Sequence, residues 1–113
     1  MRDENVQIVE KYLNSLKKQD LSDAPLAKSV CFENPVVGKG EGLENMKAWL
    51  TGYLAAFNDV RILQHICEGD YVVTHWEADT AFGTLPILEK FRIRDGLIIE
   101  ARAFLDARPI FGH

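Results

Sequence analysis

The sequence lacks most of the features that mark a function directly. Its 113 residues hold two cysteines, and Cys31 and Cys67 stand too far apart for a CxxC pair or a zinc set. We expect two buried thiols; Cys31, just before Phe32 and with no histidine near it in sequence, reads as a core thiol. No apolar run approaches the roughly 18 residues that span a bilayer. The start Met1-Arg2-Asp3-Glu4, with Lys17, Lys18 and Asp20 following, is not that of a secretory leader. Basic charge is short as well: 13 Lys and Arg against 17 Asp and Glu leave a net charge of −4. A nucleic-acid binder needs a basic face, so that class is set aside. Phosphate loops, dinucleotide fingerprints and serine or cysteine nucleophile motifs are missing too. The expectation is a single cytoplasmic domain over 1–113, with no membrane or nucleic-acid partner and no cofactor.

What the sequence does hold is period. Residues 4–18 carry Val6, Val9, Leu13 and Leu16 on one helical stripe, with Ile8 and Tyr12 beside it. Gln19-Asp20-Leu21-Ser22-Asp23 breaks the pattern and supplies N-cap candidates for a short second helix with Pro25 in its first turn. Ser29–Glu33 reads as a strand, and Asn34, ahead of Pro35, is held extended and ends it. Gly38, Gly40 and Gly42 punctuate a loop. Residues 43–57 return to helical period, with Met46, Leu50, Tyr53 and Phe57 on one face. After that the pattern is β: strands over 60–67, 71–80, 87–94 and 97–105, with turns at Glu68-Gly69-Asp70 and Asp95-Gly96. Helices first and an antiparallel meander afterwards make an α+β fold whose bent sheet wraps the helices, and its mouth is a natural small-molecule pocket.

Alternation sorts the sheet faces. Val72, Thr74, Trp76 and Ala78 share the inward side, as do Ile87, Glu89, Phe91 and Ile93, and then Ala101, Ala103 and Leu105. Tyr71, Val73, Arg102 and Phe104 point outward, a mixture of apolar and charged character that suits a homodimer interface. Glu89 breaks the sorting. A carboxylate on an apolar face is costly unless paired, hydrogen-bonded or protonated, or unless it simply reaches solvent at a strand end. His75, Glu77 and Asp79 alternate on one strand, roughly 6–7 Å apart, too far to converge on one ion. His65 and His113 add no ligand spacing, so no metal site is expected.

Read in order, Ile8-Val9-Glu10-Lys11-Tyr12-Leu13, Gln19-Asp20-Leu21, Phe32-Glu33-Asn34-Pro35 and Gly40-x-Gly42 form a family-like series. Glu68-Gly69-Asp70, Phe91-Arg92-Ile93-Arg94-Asp95-Gly96 and Phe104-Leu105-Asp106 complete it. The chain resembles the nuclear transport factor 2-like superfamily, in particular SnoaL-like polyketide cyclases and ketosteroid isomerase. The resemblance implies a cone-shaped barrel of about three N-terminal helices in a strongly bent antiparallel sheet, the cystatin-like topology, often dimeric through the outer sheet face. It also implies roles. Tyr12 matches the tyrosine that donates to a substrate oxyanion, and Glu89 matches a second donor, an acid kept protonated by its surroundings. Asn34 stands where the general base, an aspartate before a proline, would be, and an amide is no base. Asp106 lies near an acid/base aspartate of cyclase relatives, although alternation turns it outward unless a bulge intervenes.

Two functions stay open on these residues. One is a cofactor-free isomerase or cyclase-type enzyme acting on a small apolar carbonyl compound. Met46, Leu50, Tyr53, Phe57, Trp76, Phe91, Ala101 and Ala103 would line its pocket. The other is a binding or assembly module that kept the cone and lost the base. Asn34 itself reads as a pocket-rim amide or as plain turn chemistry before a proline.

Overall fold

The stripe of the first segment builds a long helix. In the computed structural model, which describes residues 2–111, helix α1 spans Arg2–Lys18. It buries Val9, Tyr12, Leu13 and Leu16. Asp3 and Glu4 in its first turn and Lys17 and Lys18 in its last oppose the helix dipole. Gln19 ends it in the left-handed region, φ 57°. The Gln19 N–H then donates to Leu16 O and the Asp20 N–H to Ser15 O, a Schellman closure. His113 lies outside the described residues.

No second helix follows. Asp20 Oδ1 takes both the Ser22 N–H and its hydroxyl, so two of the candidate caps, Asp20 and Ser22, are spent in an Asx turn. The chain enters strand β1, Leu26–Asn34. A short β2, Gly38–Glu41, pairs back on it where a loop was expected. Gly40 lies under the Phe32 ring, and a Cβ there would meet Phe32 Cζ at 2.3 Å.

Helix α2, Leu43–Leu54, is shorter than its sequence period. The Ala56 N–H closes a turn on Tyr53 O, and Phe57 instead opens β3, Phe57–Glu68. The meander continues through β4 (Tyr71–Thr80), β5 (Gly83–Arg94) and β6 (Leu97–Phe104). Asp95 and Gly96 turn the last hairpin with φ 53° and 76°, the left-handed pair that a two-residue hairpin demands. A single turn, α3 (Arg108–Phe111), ends the described chain. No helix among the described residues is long and apolar enough to cross a membrane.

The sheet order is β2-β1-β6-β5-β4-β3. The α+β class with N-terminal helices on a strongly curved sheet holds, but the sheet is mixed: β1 runs parallel to β6. Register shifts in β3 and between β5 and β6 mark bulges, which bend strands and deepen the twist. Helix α1 and part of α2 lie in the resulting concavity. Val72, Thr74, Trp76 and Ala78 of β4 and Ile87, Glu89, Phe91 and Ile93 of β5 are buried there.

The thiols depart from expectation. Cys31 is exposed and Cys67 half-buried, both free. Val30 and Phe32 take the inward side of β1, so alternation turns Cys31 out.

Candidate functional site

The concave face and the two long helices enclose a pocket with a cavity of about 90 Å³. Tyr12 reaches it from α1, Asn34 from the end of β1, and Met46, Leu50 and Tyr53 from α2. Phe57, Trp76, Glu89, Ala101 and Ala103 come from the sheet. Phe91 is not on its wall. It is fully buried beneath the pocket, its ring edge-on to Tyr12 with centroids 5.7 Å apart.

Asp106 is a correction. No bulge turns it inward: it is exposed beyond β6 and takes Arg108 Nη2 at 2.6 Å. That ion pair holds its carboxyl down at about 2, so it has no part in the pocket.

Glu89 is the buried carboxyl of the pocket wall. Strand alternation fixes it inward between Ile87 and Phe91, and it is 5% exposed. Trp76 Nε1 donates to Glu89 Oε1 at 3.2 Å. Burial pushes the Glu89 carboxyl up to about 8, against a smaller lowering by the Trp76 bond. At neutral pH it is therefore mostly a neutral acid with an O–H to donate. Tyr12 is driven well above the ordinary tyrosine value by burial first and by the Glu89 charge second, so it too remains an O–H donor. The pocket thus presents two neutral donors inside aromatic and aliphatic walls, an arrangement that suits an oxygen acceptor on an otherwise apolar molecule.

Asn34 supplies no base. Its Oδ1 accepts the N–H groups of Val36 and Val37, both at 2.9 Å. The amide closes the turn into β2 while its residue lines the rim.

The wall also includes Phe32, Trp49, Leu85, Ile87 and Ile110. Trp49 was visible in principle, three residues after Met46 and four before Tyr53 on the same helical face. Leu85 continues the β5 alternation. Ile110 belongs to the terminal turn, for which the sequence carries no periodic signal.

On the convex face, Arg61 binds Glu77 and Asp79, which accounts for the acidic alternation on β4. Among the described residues no cluster could hold a metal ion.

A SnoaL-like domain family profile matches residues 9–101. No curated protein matches the chain. Among solved structures it is similar to an NTF2-like protein of unknown function from Cytophaga hutchinsonii, with TM-score 0.84 and 19% identity over 95% of this chain and 94% of that one. It is also similar to an LEH-like epoxide hydrolase from M. tuberculosis, with TM-score 0.78 and 22% identity over 97% and 88%. A de novo designed protein with a curved β-sheet reaches TM-score 0.82 at 20% identity over 94% and 88%. Likeness at these identities is likeness of fold, and a designed chain attains it too.

Proposed function

The chain belongs to the SnoaL-like family, and from that premise we propose that it is a cofactor-independent acid/base enzyme of the isomerase or cyclase type. Its substrate would be a small, largely apolar carbonyl compound. The observation that carries this reading is Glu89, a carboxyl kept protonated at neutral pH by burial in a mostly apolar wall and lining the same pocket as Tyr12. A carbonyl oxygen placed between the two would receive hydrogen bonds that strengthen as it gains negative charge. The cavity of about 90 Å³ is smaller than the ~150 Å³ that admits benzene, so one small ring is the upper limit of what it holds and a polycyclic substrate does not fit. The Glu89 that is ionised serves as the base, and a positioned acid or base contributes roughly 10²–10⁴-fold.

A second reading, a ligand-binding module without catalysis, is favoured by Asn34, whose oxygen is committed to the turn. Replacing Asn34→Asp separates the two. An aspartate keeps the turn with one oxygen and offers the other to the pocket. Proton transfer on a β,γ-unsaturated ketone should rise at least about tenfold over wild type, below the roughly 10²–10⁴-fold of a well-placed general base, because the turn N–H groups weaken it. Adding Tyr12→Phe should remove most of the gain. A folded but inert Asn34→Asp would favour the binding module.

We also propose a homodimer through the convex sheet face. Leu88 and Phe104 are cross-strand partners there, 47% and 59% exposed, and Ile66 is 59% exposed. Exposed apolar side chains on one sheet face suit a second copy.

A further inference from the structure

One row of the concave face is polar. His65 on β3 pairs with Thr74 on β4, Thr74 with Glu89 on β5, and Glu89 with Ala103 on β6. The neighbouring rows are apolar: Ile62, Trp76 and Ile87 on one side, Cys67, Val72, Phe91 and Ala101 on the other. The polar row leads outward. Thr74 is fully buried, and its Oγ1 lies 2.8 Å from His65 Nδ1. His65 Nε2 lies 3.1 Å from Glu10 Oε2 on α1, and the two side chains are 13% and 43% exposed. A buried hydroxyl, an imidazole and a carboxylate thus run in series from the neighbour of Glu89 to water.

We propose that Thr74, His65 and Glu10 form a proton port through the sheet wall, by which Glu89 exchanges its proton with solvent while an apolar ligand fills the pocket. This rests on the acid/base role assigned to Glu89. An apolar ligand excludes water from the pocket side, so a carboxyl that must change protonation state needs another route. Directly opposed cross-strand residues have Cβ atoms about 4.5–5.5 Å apart, so a rotamer change carries the Glu89 carboxyl from Trp76 to Thr74. Glu89 then gives its proton to Thr74 Oγ1 as the Thr74 hydroxyl proton passes to His65 Nδ1. His65 releases its Nε2 proton to Glu10, which yields it to water. Only O–H and N–H bonds form and break, and a proton travelling inward reverses each step. The groups facing Glu89 are Tyr12 from α1, Thr74 and Trp76 from β4 and Ala103 from β6. Those facing His65 are Glu10 from α1 and Thr74 from β4.

Trp76 reports on Glu89 through its hydrogen bond, so the test needs no turnover and its failure is separable from that of the enzymatic reading. In a Trp49→Phe chain, pH-jump stopped flow follows Trp76 emission with and without saturating cyclohexanone as the pocket probe. Adding Glu89→Gln should abolish the signal. Thr74→Val should slow the relaxation about tenfold or more with cyclohexanone present while moving the equilibrium midpoint little. His65→Gln should slow it as well, and Thr74→Ser, which keeps the hydroxyl, should restore the wild-type rate. A merely structural Thr74 would shift the midpoint or the stability, not the rate alone. Rates within about twofold of wild type in both Thr74→Val and His65→Gln would overturn the port, as would a Trp76 signal that does not titrate between about pH 5 and 10.

Discussion

Glu89 and Asp79 stand on adjacent strands of one sheet, and their carboxyls hold protons to about 8 and about 2 respectively. The side chains differ by one methylene, which explains none of that gap. Glu89 faces the concavity, where burial outweighs its one bond from Trp76. Asp79 faces outward, where the Arg61 guanidinium and the Thr84 hydroxyl stabilise its charge. Strand parity, one residue in two, decides which fate a carboxylate meets. The same sheet therefore carries an acid on its inside and permanent anions on its outside.

The largest way to break this contrast is Glu89→Gln. Between about pH 4.5, the ordinary glutamate value, and about 8, native Glu89 binds more protons than the unfolded chain does. Its stabilising contribution is complete below that window and is lost as pH rises through it. Wild type should therefore lose a few kcal/mol in urea unfolding from about pH 5 to 9, while the Gln variant, which keeps an acceptor for Trp76, should stay flat. Parallel curves for the two would show that Glu89 ionises without cost. A smaller effect is expected on the convex side. Placing Glu at Phe104 and Lys at Leu88 should weaken dimerisation at least about thirtyfold, ~2 kcal/mol, and sedimentation should then return one chain of 12.8 kDa. A wild-type mass of one chain at micromolar concentration would remove the dimer. The smallest effect is that of Arg61→Ala. The pairs it makes are solvent-screened, so unfolding should barely change, while NMR titration should find Asp79 moved up from about 2 toward the usual carboxylate range. An unmoved Asp79 would shift the credit to Thr84.

Much of this is legible in the sequence alone, because the strongest signals are local. The Val9, Leu13, Leu16 stripe, the β4 and β5 alternation and the Asp95-Gly96 turn each depend on a few neighbouring residues, and the odd placement of Glu89 follows from alternation alone. What escaped depends on distant partners. Nothing near Leu26 announces that it will run beside Ile98, and a Pro-containing segment rich in caps reads more naturally as a helix start. Gly40 reads as a loop residue until Phe32 is seen lying over it. Phe57 kept its place on the pocket although it belongs to a strand and not to α2, since either geometry points it inward. Asp106 and Cys31 were fixed by single-residue parity, where one bulge more or fewer reverses the answer.

The parallel pairing of β1 with β6 also sets an order of events during synthesis. Strands β3 to β6 form a meander of neighbours and can zip as they emerge from the ribosome. Strand β1 emerges earlier, yet among the described residues, apart from short β2, its only ladder is with β6, and such a distant contact waits on closure of the whole intervening chain. Tyr12 and Asn34 are translated long before Glu89, and Asn34 meets it only once that closure is complete. The nascent chain therefore exposes the edge of β1 until β6 arrives, the interval in which a chaperone would find most to hold.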